Sequence, residues 1–143
     1  MNKISFKIFN NGLPLEAKEI RHQVFQIEQI FIIDIDEIDD TCHHLMLYYN
    51  DKPVGTCRYF IANKTTYHLG RFAILKEYRH LGLGSKMLNE CDQKIKKLGG
   101  KRIELGAQYD KRNFYYKNGY KDLEDAIFLD ENYPHINLYK DLK

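Results

Sequence analysis

The sequence predicts a mixed α/β (α+β) domain around one sheet, on three observations. Short segments with strand-like patterning follow one another through tight turns, as antiparallel strands require. Between them lie segments with apolar residues at helical spacing. At 143 residues, 43% hydrophobic and 29% charged, the chain has the size and balance of one soluble globular domain spanning residues 1–143.

Residues 3–9, KISFKIF, alternate Ile4, Phe6 and Ile8 against polar neighbours and read as a strand. Asn10-Asn11-Gly12 is a turn. From Pro14 to about Gln29, Leu15, Ile20, Val24, Phe25 and Ile27 fall near helical spacing, with Pro14 acceptable in a first turn. IDIDEIDD, 33–40, reads as an acidic loop. HHLMLYYN, 43–50, is a strand, Asp51-Lys52-Pro53 turns the chain, and VGTCRYFIA, 54–62, returns as its hairpin partner. TYHLGRFAIL, 66–75, is a third strand of this run. A helix follows from about Gly82 to Leu98, with Met87, Leu88, Cys91, Ile95 and Leu98 along one face and Gly99-Gly100 as its stop. RIELGA, 102–107, is a short strand, and RNFYYKN, 112–118, a short helix ended by Gly119. Two strands close the chain, around 120–129 and 136–139.

A net charge of +2 gives no strong pull toward nucleic acid or an anionic membrane. Cys42, Cys57 and Cys91 are an odd number without C-x-x-C spacing, which argues against a disulfide framework or a structural zinc site. The opening MNKISFKIFN is too polar for a signal peptide, and no apolar run approaches the ~20 residues of a membrane span. The expected location is the cytoplasm.

The stretch EYRHLGLGSKML, 77–88, sets Arg79, Gly82 and Gly84 in R-x-x-G-x-G spacing directly before a helix. Each glycine inside a helix costs roughly 1 kcal/mol relative to alanine, so bare backbone must serve a purpose there. A strand, a glycine turn and a helix N-terminus make an anion site, because the first N–H groups of the helix point outward along its dipole. Arg79 and Lys86 could add charge at its edge. The same glycines could instead permit tight helix–sheet packing, and the spacing alone leaves both readings open. A P-loop and a dinucleotide fingerprint fit less well: Gly84-Ser85-Lys86 lacks the first P-loop glycine, and Met87 stands where a third fingerprint glycine belongs.

R-x-x-G-x-G after a strand, then a helix, a strand and FYYKNGY, resembles the GNAT superfamily of N-acetyltransferases. Arg79, Gly82 and Gly84 match its acetyl-CoA motif; Phe114, Tyr115, Gly119 and Tyr120 match its later F-Y-x-x-x-G-F/Y signature. RHQVFQIEQ (21–29), DD then HHL (39–45), GRFAI (70–74), AQ (107–108) and PHI (134–136) are similar to the ElaA/YjcF-like bacterial branch. The resemblance implies a mixed, mostly antiparallel sheet flanked by helices and splayed between the strands at about 66–75 and 102–107. It implies acetyl-CoA as co-substrate, with pantetheine amides paired to the backbone of Phe72, Ala73 and Ile74. The pyrophosphate would lie on the N–H groups of His80, Leu81, Gly82, Leu83, Gly84 and Ser85, beside Arg79. Asn113 either bonds the pantetheine or caps its short helix.

The implied reaction moves an acetyl group to a primary amine by direct attack in a ternary complex. An alkyl ammonium of pKa ~10.4 is rarely neutral near pH 7, so a base helps, by ~10²–10⁴-fold. His68, on the strand at 66–75, suits that task with an imidazole near pKa ~6.5, or is a half-exposed strand histidine. Glu28 is a second candidate base, or a cap or salt-bridge partner. Tyr115 occupies the family position where a phenol hydrogen-bonds the CoA sulfur and stabilises the departing thiolate, or it packs. His43, His44 and His135 are candidates for the acceptor pocket, and Arg71 and Gln108 for a place near cofactor or acceptor.

Asp34, Asp36, Asp39 and Asp40, with Cys42 and His43 nearby, suggest metal at first glance. An EF-hand starting at Asp34 would need Gly and Glu where Asp39 and Leu45 stand, so a solvated loop, or one that attracts a cationic acceptor, is expected, with no metal. Expected partners are a small-molecule or protein amine, with no nucleic acid or membrane, and a monomer or homodimer. The alternative is a non-catalytic acyl-CoA-binding sensor or partner-binding domain on the same fold; a purely structural α/β domain is a further rival.

Overall fold

The computed structural model describes residues 2–31 and 34–143, with only the backbone described at Asp125. Ile33, the first residue of the expected acidic loop, lies outside the described residues. The elements are β1 (Ile4–Phe9), α1 (Leu15–Arg21), β2 (His43–Tyr49), β3 (Lys52–Asn63), β4 (Thr66–Ile74), α2 (Leu83–Lys97), β5 (Arg102–Gln108), α3 (Arg112–Lys117), β6 (Lys121–Asp130) and β7 (Tyr133–Asp141). This is the order the sequence predicts. The seven strands are hydrogen-bonded in the order β1-β2-β3-β4-β5-β7-β6. The sheet is mixed: β4 and β5 pair in parallel, and the other registers described are antiparallel.

The chain forms two compact units, Met1–Phe60 with Arg71–Met87, and Ile61–Gly70 with Leu88–Lys143. In the first, β1 pairs with β2 from Ile4↔Tyr49 to Phe9↔His44, and β2 pairs with β3. The β2–β3 turn falls at Asn50 and Asp51, both left-handed at φ 51° and 67°. Two such residues make the hairpin turn whose twist matches the strands, which places the turn one residue before the expected Asp51-Lys52-Pro53. Apolar residues of α1 and its continuation, Ala17, Ile20, Val24 and Phe25, pack with Met46, Tyr48 and Ala73. The expected helix to Gln29 is realised in two parts. After Arg21 the chain widens into a π-helical segment, His22–Glu28, closed by Gln29 N–H to the Val24 carbonyl at 3.1 Å. π-Helical turns are rare and frequently mark functional sites.

In the second unit, Thr66–His68 of β4 pair with Arg102–Glu104 of β5, and β5 pairs with β7 along Arg102–Gln108. β6 pairs with β7, with a register shift between Asp122 and Ile127. From α2, Leu88, Cys91 and Ile95 are buried. Leu98, expected on the same face, lies past the helix end and is exposed. A Cβ on Gly100 would collide with Ile95 and come within 2.9 Å of the Tyr67 ring, so the chain leaves the helix through a gap only glycine fits.

Candidate active site

The R-x-x-G-x-G motif folds into a left-handed turn ahead of α2. His80 has φ 64° and Gly82 φ 76°, and the helix begins at Leu83. A Cβ at Gly82 would meet nothing within 4 Å. Gly82 is therefore set by conformation, and the tight-packing reading does not apply to it. Lys86 N–H donates to the Gly82 carbonyl at 3.3 Å. The N–H groups of Leu83, Gly84 and Ser85 precede that bond and have no acceptor inside the helix. Leu83 anchors the turn with a buried side chain, whereas Leu81 and Lys86 are exposed.

Arg79 and Glu28, separate candidates in sequence, are partners here. Arg79 Nη1 and Nη2 donate to the two Glu28 carboxylate oxygens at 2.6 and 2.7 Å, and Arg79 Nε donates to the Ile74 carbonyl at 2.9 Å. One guanidinium thus ties the end of the π-helical segment to the end of β4. The salt-bridge reading of Glu28 is the one realised.

Along β4, Tyr67, Leu69 and Ala73 are buried, while His68, Gly70, Phe72 and Ile74 are half-buried. His68 thus lies on the less buried face of its strand, and a Cβ on Gly70 would sit 3.9 Å from its imidazole. Arg71 interrupts this alternation with φ 50°.

The acidic loop overturns the expectation of solvation. Asp34 and Asp39 are buried, and only Glu37 and Asp40 of its acidic residues are exposed. Arg21, 1% exposed, donates from Nε to Asp34 at 3.1 Å and from Nη1 and Nη2 to Asp39 at 2.8 and 2.9 Å. Arg58 donates to Asp36 at 2.6 and 3.0 Å and to Asp39 at 2.9 Å. Arg71 Nε donates to the Asp34 carbonyl at 2.7 Å, with Nη2 3.4 Å from Asp36. Three guanidiniums balance three carboxylates, so the cluster has little net charge with which to attract a cationic acceptor. Burial alone would raise the Asp39 carboxyl, but bonds from Arg21, the Asp36 backbone and Arg58 hold it well below the usual carboxylate range. A hydrogen bond from Arg58 chiefly lowers Asp36.

Asp39, Cys42 and His44 bring ligand-type atoms within 4.8 Å of one another. Their bonding serves other ends. Asp39 is held by two arginines, and His44 Nε2 donates to the Asp39 carbonyl at 2.8 Å. Burial pushes the Cys42 thiol up to about 11 and the His44 imidazole below its ordinary value. A protonated thiol, a donor nitrogen and a neutralised carboxylate make a poor cation site.

In the second unit, α3 carries the FYYKNGY signature. Tyr115 is buried, with its ring edge-on to Phe114 at 5.1 Å and to Tyr120 at 5.7 Å. Tyr116 donates its hydroxyl to Asp122 instead, as a structural residue would. Asn113 is exposed and lies inside α3, after the capping residue Lys111, so the cap reading is set aside. His135 is buried, with Nδ1 2.7 Å from the Tyr133 carbonyl, and His43 bonds Asn10 at 2.6 Å.

Sequence reasoning missed Arg21 and Arg58 as organisers. A signal existed for Arg21: it follows Ile20 and falls four residues after Ala17, on the helix face that is buried, where a charge needs a partner.

Residues 10–120 match the Acetyltransferase (GNAT) family. The chain is 33% identical to the uncharacterised N-acetyltransferase YjcF of Bacillus subtilis, over 88% of this chain and 91% of that protein. Its fold is similar to Escherichia coli ElaA, with a TM-score of 0.85 at 22% identity over 96% of this chain and 99% of the other. It is similar too to a GNAT family acetyltransferase from Elizabethkingia anophelis with acetyl-CoA bound, at a TM-score of 0.75 and 14% identity over 97% and 98% of the two chains. Among the described residues no helix is long and apolar enough to cross a membrane. The motif turn, the signature helix and these likenesses agree: the chain belongs to the GNAT family of acetyltransferases, whose co-substrate is acetyl-CoA.

Proposed function

We propose that the chain is an acetyl-CoA-dependent N-acetyltransferase that moves the acetyl group to a primary amine by direct attack in a ternary complex. The observation that carries this reading is the turn from Arg79 to Ser85. Its left-handed His80 and Gly82 present bare backbone immediately before the first N–H groups of α2. That arrangement suits the pyrophosphate of acetyl-CoA. The backbone of Phe72, Ala73 and Ile74 is assigned to the pantetheine amides and a β4 N–H to the thioester oxyanion, following the family pattern. Asn113 is assigned to the pantetheine. Tyr115 is assigned to the departing thiolate, which a phenol stabilises by a hydrogen bond. His68 is the favoured base, directly or through water, because Glu28 already has its charge compensated by Arg79. The acceptor is an amine on a small molecule or a protein.

The test is thiol release from acetyl-CoA across a panel of amines, beside calorimetry with CoA. Amine-dependent release supports the transferase. Binding without release from any amine would favour a non-catalytic acyl-CoA sensor. Gly84→Asp, which places a negative side chain in the cradle, should abolish binding with the fold retained.

A further inference from the structure

Among the described residues eight non-glycine positions have positive φ, and Arg71 is the one inside a strand; the others lie in turns and loops. A left-handed residue other than glycine is strained and persists only where surrounding structure holds it. The holding contacts are visible. Arg71 Nε donates to the Asp34 carbonyl at 2.7 Å, and Nη2 lies 3.4 Å from Asp36. Asp34 and Asp36 are themselves fixed by further guanidiniums, Asp34 by Arg21 and Asp36 by Arg58. The left-handed residue in β4 is therefore clamped to the Arg–Asp cluster through one planar guanidinium.

Phe72 follows directly. A residue turned left-handed reorients the peptide that joins it to the next, so the conformation of Arg71 sets the aim of the Phe72 N–H. We propose that Arg71 is a positioning residue: its side chain, seated on the 34–36 loop, holds the left-handed turn of its own backbone in β4, which aims the following N–H at the reacting thioester. The inference rests on the transferase reading given above. It assigns the buried cluster a task beyond stability, since the loop and the strand can move only together. Arg71 touches no reacting atom; it acts through the backbone.

The experiment compares wild type with Arg71→Gly, Arg71→Ala and Arg71→Lys. Glycine adopts the same φ without the clamp, alanine has neither clamp nor conformational ease, and lysine keeps the charge but loses the fork. Lysine also keeps a well-folded variant in hand if the smaller side chains unfold the protein. The readouts are amide hydrogen exchange of a peptide covering 70–75, kcat for amine acetylation and calorimetric Kd for CoA. Expected are at least tenfold faster exchange in that peptide and at least tenfold lower kcat for Gly and Ala, with Lys between. The Kd for CoA should rise by a smaller factor than kcat falls, because the phosphate turn is untouched while only the Phe72–Ile74 backbone assigned to the pantetheine is loosened. A merely structural role would lower melting temperature while leaving kcat unchanged in the folded fraction, and that result overturns the proposal. Unchanged exchange in 70–75 overturns it as well. A wild type that binds CoA but releases no thiol with any amine would instead remove the transferase reading, and the positioning role with it.

Discussion

The first unit buries a cluster of arginines and aspartates, whereas the second has a partly covered Lys140–Asp92 pair, an exposed Arg102–Asp141 pair and buried aromatic rings around its signature residue. Arg21 is 1% exposed and meets Asp34 and Asp39, also buried. In the second unit Arg102 pairs with Asp141 where both side chains are well exposed, at 36% and 60%. Two pairs of the same chemistry therefore have opposite weights. In water an ion pair exchanges one set of good contacts for another; inside the protein the alternative to pairing is an uncompensated charge. Around Tyr115 the reverse strategy holds: the phenols of Tyr115 and Tyr120 and the Phe114 ring pack edge to face. Removing a member of each group should damage different properties.

The largest effect is expected from Arg21→Met, which takes a buried guanidinium from Asp34 and Asp39 and leaves Asp39 to Arg58 and Asp34 to Gln26. Denaturant unfolding should show a loss of ~3–5 kcal/mol. A loss no larger than that of an exposed arginine would break the contrast between the units. Second comes Tyr115→Phe, whose cost should fall on rate. Loss of a thiolate-stabilising hydroxyl lowers kcat by roughly one to three orders of magnitude, ~1.4–4 kcal/mol, with acetyl-CoA affinity nearly constant. Full kcat in the variant would reduce Tyr115 to packing.

Third is a pH effect confined to the first unit. Burial lowers His44 in the folded protein, so the neutral ring is favoured there. Its contribution is complete above the unfolded value of ~6.5 and is lost as pH falls through the lower folded value. Asp39, depressed by its arginines, contributes fully above ~3.9 and fails only in stronger acid. Melting temperature should therefore decline between pH 7 and 5 and drop again in strong acid. His44→Gln, which retains a donor for the Asp39 carbonyl, should flatten the first decline; His43, also lowered by burial, supplies what slope remains. An unchanged slope would remove His44 from the account. Smallest is Arg102→Ala, expected to leave the melting curve where it is despite the loss of Asp141 and of the Tyr139 ring 4.4 Å beneath the guanidinium. A clear destabilisation there would again erase the contrast.

The legible parts of this chain are those whose physics is local. Alternation in Ile4, Phe6 and Ile8 and the helical spacing of Leu88, Cys91 and Ile95 are written within a few residues, and both elements are found. The glycine turn was legible because φ above zero leaves a residue-type signature at Gly82. The buried loop was not, because Asp34, Asp36 and Asp39 look the same in sequence whether water or arginine faces them. Their partners are 13 to 37 positions away, on α1, β3 and β4. The Arg79–Glu28 pair, 51 positions apart, is hidden for the same reason. HQVFQIE carries no residue pattern that separates a π-helical from an α-helical segment, since both present Val24 and Phe25 inward.

All three cysteines are thiols and buried, Cys42 and Cys57 in the first unit and Cys91 in the second. A disulfide reagent in solution meets them only when the surrounding structure opens, because thiolate chemistry needs both access and deprotonation. Each is therefore a clock for the opening of its own unit. Modification of Cys42 times the parting of the loop from its arginines, and modification of Cys91 times the lifting of α2. If the two units open independently, the clocks run at different rates; if they unfold as one cooperative block, Cys42 and Cys91 keep the same time.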